Sequence, residues 1–214
     1  MGRPAALSRD RIVEAAAHLV GEHGAEALTA RRLGEALSCD PTAIYRHFAD
    51  LSEVRREVGD HFLAAVKVAA RGDEPWDATV HRICVQLRAV QLVQPRVAAL
   101  VRSAPTLLAN ELRITNALLG ELERGGFEPP AAARAYHALI ELTVGSAAID
   151  AELAAQPALV RLRAYRSWRE HYATLDAEQY PHAVAAADHL YDGTADTRFD
   201  FALTTLLAAL PRFT

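Results

Sequence analysis

Thr29-Ala-Arg-Arg-Leu-Gly-Glu-Ala-Leu-Ser-Cys-Asp-Pro-Thr-Ala-Ile-Tyr-Arg-His-Phe48 holds two short helical patterns around a connection of three residues. Thr29 is a good N-cap, and the helix it starts buries Leu33, Ala36 and Leu37 while Arg31 and Arg32 lie on its exposed first turn. Ser38-Cys-Asp40 is the turn. Asp40-Pro41 then restarts the chain: the carboxylate caps free amides, and proline in the first helical position has no amide to lose. In the following segment Ile44 and Phe48, four residues apart, anchor inward, which leaves Thr42, Ala43, Tyr45, Arg46 and His47 outside. Two helices of about two turns joined by a tight turn form the geometry that inserts the second helix into a major groove. Small residues at its start permit approach to base edges, and the Tyr, His and Arg groups are donors for phosphates.

Outward from this stretch the chain reads as helix throughout. A preceding helix at 8–23 has a Ser8 cap, a stripe of Ile12, Ala15, Ala16, Leu19 and Val20, and a stop at Gly21 and Gly24. Further period-3.6 segments fall at 51–70, 76–93, 96–103, 106–124, 130–155, 158–173, 177–191 and 197–210, and no run alternates long enough for a strand. The 214 residues include 44 Ala and 11 Gly, are 51% hydrophobic and only 7% aromatic, and carry a net charge of -4. That composition supplies a sizeable core, favours helices, and argues against a β-sandwich or barrel. The expected class is all-α. A cluster of turn formers at Arg71-Gly-Asp-Glu-Pro75 divides a small module, 1–56 with a fourth helix to about 70 as connector, from a larger helical domain, 72–214.

The quoted stretch resembles the signature of the TetR family of bacterial transcriptional regulators, most specifically over about residues 8–56. Its strongest element is Ala43-Ile44-Tyr45-Arg46-His47-Phe48. The resemblance implies an N-terminal three-helix DNA-binding module with a helix-turn-helix, in which Thr29, Tyr45 and His47 hold phosphates while Arg31, Thr42, Ala43 and Arg46 lie near bases. Two positions depart from the family pattern. Ser38 stands where the family usually has Gly, so a positive backbone angle there carries a modest cost. Leu51 stands where a Phe-x-x-Lys pattern commonly puts a phosphate-binding Lys; Asp50 then reads as a cap, with Arg55 or Arg56 as substitutes one turn later. Residues 1–56 contain eight Arg and eight acidic residues, so binding by this neutral head depends on where its charges point. Arg3 and Arg9, beside Gly2 and Pro4, are candidates for minor-groove or phosphate contacts from an arm.

One recognition helix reads few bases, so the module is expected to work as a two-fold homodimer on a pseudo-palindromic double-stranded operator. Two segments fit the pairing surface: Ala131 to Ala155, with Gly145, Ser146, Ala147 and Ala148 permitting close approach, and the stripe Phe199, Leu203, Leu206, Leu207 and Leu210. The alternative for both is intrachain core. The resemblance further implies a small-molecule effector pocket in the C-terminal domain, where Cys84, Gln91, Thr115, Tyr136 and Thr143 fall on or beside apolar faces as sparse orienting groups. Each of these also reads as a satisfied core position. The segment from Pro157 to Pro181, with Tyr165, Trp168, His171 and Tyr172, is either a lid or an additional packed helix.

No run approaches the roughly 18 apolar residues of a membrane span, and the first residues lack an apolar signal core, so a cytoplasmic protein with reduced Cys39 and Cys84 is expected. The nine His show no metal-ligand spacing: His18 and His23 are five apart, His182 and His189 seven. No nucleophile elbow, phosphate loop or dinucleotide fingerprint is present either, so neither cofactor nor catalysis is expected. The implied function is a DNA-binding regulator, most often a repressor, released by its effector. The competing reading is a helical ligand carrier or enzyme that retains the helix-turn-helix as scaffold.

Overall fold

The computed structural model describes residues 7–100, 102 and 105–210. Among them the structure is helical, with no strand, and no helix is long and apolar enough to cross a membrane. The arm residues Gly2, Arg3 and Pro4 lie outside the described residues. Helix α1 (Arg9–His23) is capped by the Ser8 hydroxyl and stops at Gly24, with φ 85°. Helix α2 (Ala30–Leu37) is capped by Thr29, whose hydroxyl accepts from the Arg32 amide at 3.3 Å. A 3-10 helix follows over Pro41–Arg46, then α3 (Leu51–His61). The expected α-helix at 41–48 is therefore tighter and shorter; the Ile44 carbonyl accepts from the amides of both His47 and Phe48, which closes the segment. Ile12, Val20, Leu33, Ile44, Phe48, Val54 and Val58 are buried together beneath these elements.

The turn after α2 explains the departure at Ser38. Ser38 takes a left-handed conformation, φ 53° and ψ 44°. Its amide donates to the Glu35 carbonyl at 3.2 Å, and the Cys39 amide reaches back to the Gly34 carbonyl at 2.9 Å, a Schellman closure of the helix. Ser38→Gly removes the strain of this angle and is expected to raise unfolding stability by about 1 kcal/mol in urea titrations. Gly34 has a role that helical period alone does not reveal. A Cβ there would sit 2.9 Å from the Cys39 carbonyl oxygen and 3.1 Å from Pro41, so the turn approaches α2 this closely only because residue 34 has no side chain.

Helix α3 ends sooner than the expected 70. A 3-10 turn, Phe62–Ala65, follows it and Val66 is already extended. Two hydrogen bonds from one distant residue hold the chain where it stops. Arg113 donates to the carbonyls of Val66 at 2.8 Å and Leu63 at 3.3 Å. The following strap is then held against helix α4 (Trp76–Val93): Arg82 donates to the carbonyls of Lys67 and Ala69, and the Gln86 amide exchanges two hydrogen bonds with the Lys67 backbone. Glu74 closes the clasp, with Arg82 at 2.7 Å and the Thr79 hydroxyl at 3.0 Å. Chiefly through the Arg82 hydrogen bond, its carboxyl is held down to about 2 from 4.5. A depressed carboxylate stabilises the fold fully above its unfolded value and loses that contribution as pH falls toward its folded one. The stability gap between wild type and Glu74→Gln in thermal melts is thus expected to hold above pH 4.5 and to narrow as pH falls toward about 2.

The larger region is built from α4, α5 (Pro95–Ala98), α6 (Ala109–Arg124), α7 (Pro129–Ala154) and α10 (Ala195–Ala209), with α8 (Ala158–Ala173) and α9 (Pro181–Ala185) inserted before the last. Helix α4 is central, packing on α6, α7 and α10. The C-terminal stripe corrects an expectation. Phe199, Leu203, Leu207 and Leu210 are buried within the chain, because this face of α10 meets α4 and α7. The opposite face carries Phe201, 74% exposed. Ser146 on α7 likewise serves the chain's own packing. Its hydroxyl accepts from Arg88, a 4% exposed arginine that also binds Asp150 at 2.6 Å and Asp196 at 2.5 Å and so joins α4, α7 and α10. The Pro157 to Pro181 segment forms an additional helix rather than a lid. Its Tyr165, Trp168 and Tyr172 cluster around Tyr191, and none of them lines the cavity described below.

Candidate nucleic-acid interface and internal cavity

The 3-10 helix Pro41–Arg46 presents its polar side chains on an anchored frame. Ile44 and Phe48 are fully or almost fully buried, whereas Thr42, Tyr45 and Arg46 are exposed, and Ala43 and His47 half-buried. Asp40 fixes the start. Its Oδ1 accepts from the Thr42 amide at 2.8 Å and hydroxyl at 2.6 Å, and these bonds, the hydroxyl's first, hold the carboxyl below its usual range. Thr42 is thus exposed with its hydroxyl proton already used within the turn. Thr29 lies at the N-terminus of α2, where its free amides favour an anion. Arg31 pairs with Glu35 at 3.0 Å, but both side chains are largely solvated, so a phosphate or base can replace the carboxylate at little expense.

Arg9 is committed elsewhere than the expected arm contact. Its guanidinium donates to the His47 carbonyl at 2.5 Å, pairs with Glu53 at 2.8 Å and Glu57 at 2.6 Å, and lies 4.2 Å from the Phe48 ring centroid. It clamps α1 to the end of the 3-10 helix and to α3. Glu53 in turn accepts from the Ala49 amide, its largest stabilising bond, and stays ionised below its usual range. Asp50 caps α3 through the Glu53 amide at 2.8 Å and the Ser52 hydroxyl at 2.6 Å. Leu51 packs on the core as a partly buried anchor, and the only cations on the first turns of α3 are Arg55 and Arg56, both exposed.

Three clasps bind this head to the rest of the chain, each a charge matched to a helix end. Arg96 on α5 donates to the terminal carbonyls of α1, Gly21 at 3.1 Å and Glu22. Arg113 on α6 takes those that follow α3. Asp60, 5% exposed on α3, caps the start of α6: it accepts from the Glu111 amide at 2.9 Å, the Asn110 amide at 3.1 Å and side chain at 3.0 Å, and the Thr106 hydroxyl at 3.2 Å. No local pattern signals this cap, because its partners lie 46 to 51 positions away.

Beside that cap lies a cavity of about 600 Å³. Phe62 and Leu63 from the end of α3, Ile114 from α6 and Ile140 and Val144 from α7 form much of its wall. Of the five residues picked out for a pocket, Gln91, Thr115 and Tyr136 line it, the last two joined hydroxyl to hydroxyl at 2.9 Å. Cys84 and Thr143 do not. They are buried behind it, the Thr143 hydroxyl donating to the Leu139 carbonyl at 2.7 Å. Burial pushes the Cys84 thiol up to about 11, which keeps it neutral and unreactive. The wall also holds Arg102, Thr106, Glu111, His137 and Glu141, which the sequence reading did not single out. Among the described residues no cluster of His, Cys, Asp or Glu has the makings of a metal site.

Residues 12–58 match the family model of bacterial regulatory proteins of the tetR family, and residues 69–212 that of the tetracyclin repressor-like C-terminal domain. The chain belongs to the TetR family. An HTH-type transcriptional regulator of Saccharopolyspora erythraea is 26% identical over 144 residues, a match that covers 67% of this chain and 61% of that regulator's length. Among solved TetR structures, ActR of Streptomyces coelicolor in complex with actinorhodin has a TM-score of 0.86 at 24% identity, covering 97% of this chain and 98% of ActR. A further TetR from Streptomyces coelicolor is 28% identical with a TM-score of 0.81, covering 96% and 98%.

Proposed function

We propose that this TetR protein is a cytoplasmic, homodimeric repressor that binds a pseudo-palindromic operator and is released from it by a small molecule, with no enzymatic role. The observation that carries the reading is the exposed face of the Pro41–Arg46 helix, held rigidly by Ile44, Phe48 and the Asp40 cap. In this account residues 1–56 are the reading head, α3 connects, and 72–214 bind effector and partner. Thr29, Tyr45 and His47 hold phosphates, with Arg31, Thr42, Ala43 and Arg46 at the base edges. The pairing surface is the outward face of α10, where Phe201, Thr204, Thr205 and Ala208 border an open groove, together with Ile149 on α7, 83% exposed.

The cavity supports effector release by its position. A ligand filling it presses on Phe62 and Leu63 at the end of α3 and on Thr106 and Glu111 at the start of α6, the two elements that Asp60 joins. Movement of α3 turns the head and changes the spacing of the two recognition elements in the dimer, so effector and operator oppose each other through linkage. ActR, a relative of the same fold, has been solved in complex with actinorhodin, which supports a ligand-responsive reading.

Removing the Tyr45 hydroxyl, as in Tyr45→Phe, is expected to weaken binding to all sites about equally, by roughly 1 kcal/mol for one lost phosphate bond, while Thr42→Val shifts which base is preferred. Fluorescence anisotropy on a panel of single-base operator variants reads both. If neither substitution changes binding while the fold persists, the groove assignment is wrong.

A further inference from the structure

The chemistry of the cavity wall selects its ligand. Gln91 lies on α4, lines the cavity, and is 5% exposed. Its Nε2 donates to the Leu87 carbonyl at 3.2 Å, which orients the amide and leaves Oε1 as the free end. Among the described residues nothing donates to that oxygen. A ligand that fills the cavity displaces the water that would solvate it, and so binds well only if it brings a donor of its own. The second polar feature of the wall is the pair of hydroxyls on Thr115 and Tyr136. One proton is spent between them, and the other is available to a ligand oxygen.

Charge narrows the choice further. Glu111 is half-buried in the wall, its Oε2 occupied by the Thr106 hydroxyl and the Thr106 and Leu107 amides, and Asp60 lies directly behind it. The Glu111 carboxylate in the wall opposes an anion. The lining groups able to carry positive charge, Arg102 and His137, are exposed, as is Glu141, so none neutralises a charge at the buried end. Most of the remaining wall is Phe62, Leu63, Leu87, Ile114, Ile140 and Val144.

We infer that the effector is an uncharged, largely apolar molecule with a hydroxyl group at its buried end, and that Gln91 is the residue that selects it by accepting a hydrogen bond from that hydroxyl. The inference rests on the reading of this cavity as the effector site. A ligand ether oxygen in the same place leaves Gln91 Oε1 unmet, and an acid group shares the cavity with the Glu111 carboxylate.

The test uses the full chain and three probes that share one ring system, 2-naphthol, 2-methoxynaphthalene and 2-naphthalenesulfonate, in calorimetric titrations. Wild type is expected to bind 2-naphthol about tenfold more tightly than the methyl ether, the loss of one hydrogen bond, and the sulfonate least. Gln91→Leu should retain 2-methoxynaphthalene binding and erase the preference. Ile140→Trp, which fills the cavity, should weaken all binding. Equal affinity for naphthol and its ether in wild type, or a preference that survives Gln91→Leu, overturns the chemical class while leaving the cavity as the site if Ile140→Trp still weakens binding. Binding that Ile140→Trp leaves untouched, or none at all in wild type, overturns the site and the inference with it.

Discussion

Asp60→Ala is expected to destabilise the protein by about 3 kcal/mol, because the start of α6 loses its buried cap and several donors are left unmet at once. For a chain of this size that shift lowers the melting midpoint by about 10 °C. Asp60→Asn keeps one acceptor oxygen and should recover part of the loss. The substitution also removes the bond by which α6 holds α3, so operator release by ligand should weaken in molecules that remain folded. Thermal melts and urea titrations of both variants give the first result, and a loss below about 0.5 kcal/mol for Asp60→Ala would mean that this cap is idle.

Phe201→Glu is expected to produce monomers in sedimentation velocity and to lower operator affinity about 100-fold or more. The ring lies 74% exposed in the single chain, on the face of α10 turned away from its own core. Within a dimer, a carboxylate at this position is desolvated without a partner. The operator effect is larger than any single base contact because two linked heads gain their affinity from simultaneous engagement. An unaltered sedimentation profile would move the pairing surface off this face. Since Phe201 makes no buried contact within the chain, the variant should melt as a folded protein, which separates assembly from folding.

What the sequence made legible was local. The caps by Ser8, Thr29, Asp40 and Asp50 all bond within three residues, and the helical period of the buried stripe from Ile12 to Val20 survives into the structure. The strained turn was legible too, since a left-handed residue after α2 was implied by the family pattern and Ser38 adopts it. Longer-range facts were not. Arg9 reads as a free basic residue near the start of the chain, and only folding brings Glu53 and Glu57 to it from 44 and 48 positions away. The end of α3 was overextended for the same reason, since Arg113 takes its carbonyls from the far side of a loop. Period alone identifies an apolar face on α10 but does not say whether the chain itself covers it. The cavity illustrates a related limit: Gln91 and Cys84 share a helix and are both buried, yet only Gln91 reaches the open space.

In the proposed function the exposed face of the Pro41–Arg46 helix reads DNA sequence as half of a two-fold pair. Selection of bound fragments from the genomic DNA of the source organism, followed by footprinting of the enriched fragment across a salt series, tests it most directly. The expected result is a pseudo-palindrome protected over two half-sites separated by about one helical turn or a multiple of it, with affinity that falls as salt rises. Binding that is indifferent to sequence, or no enrichment at all from a folded dimer, would contradict it and favour a helical carrier or enzyme in which the helix-turn-helix is only scaffold.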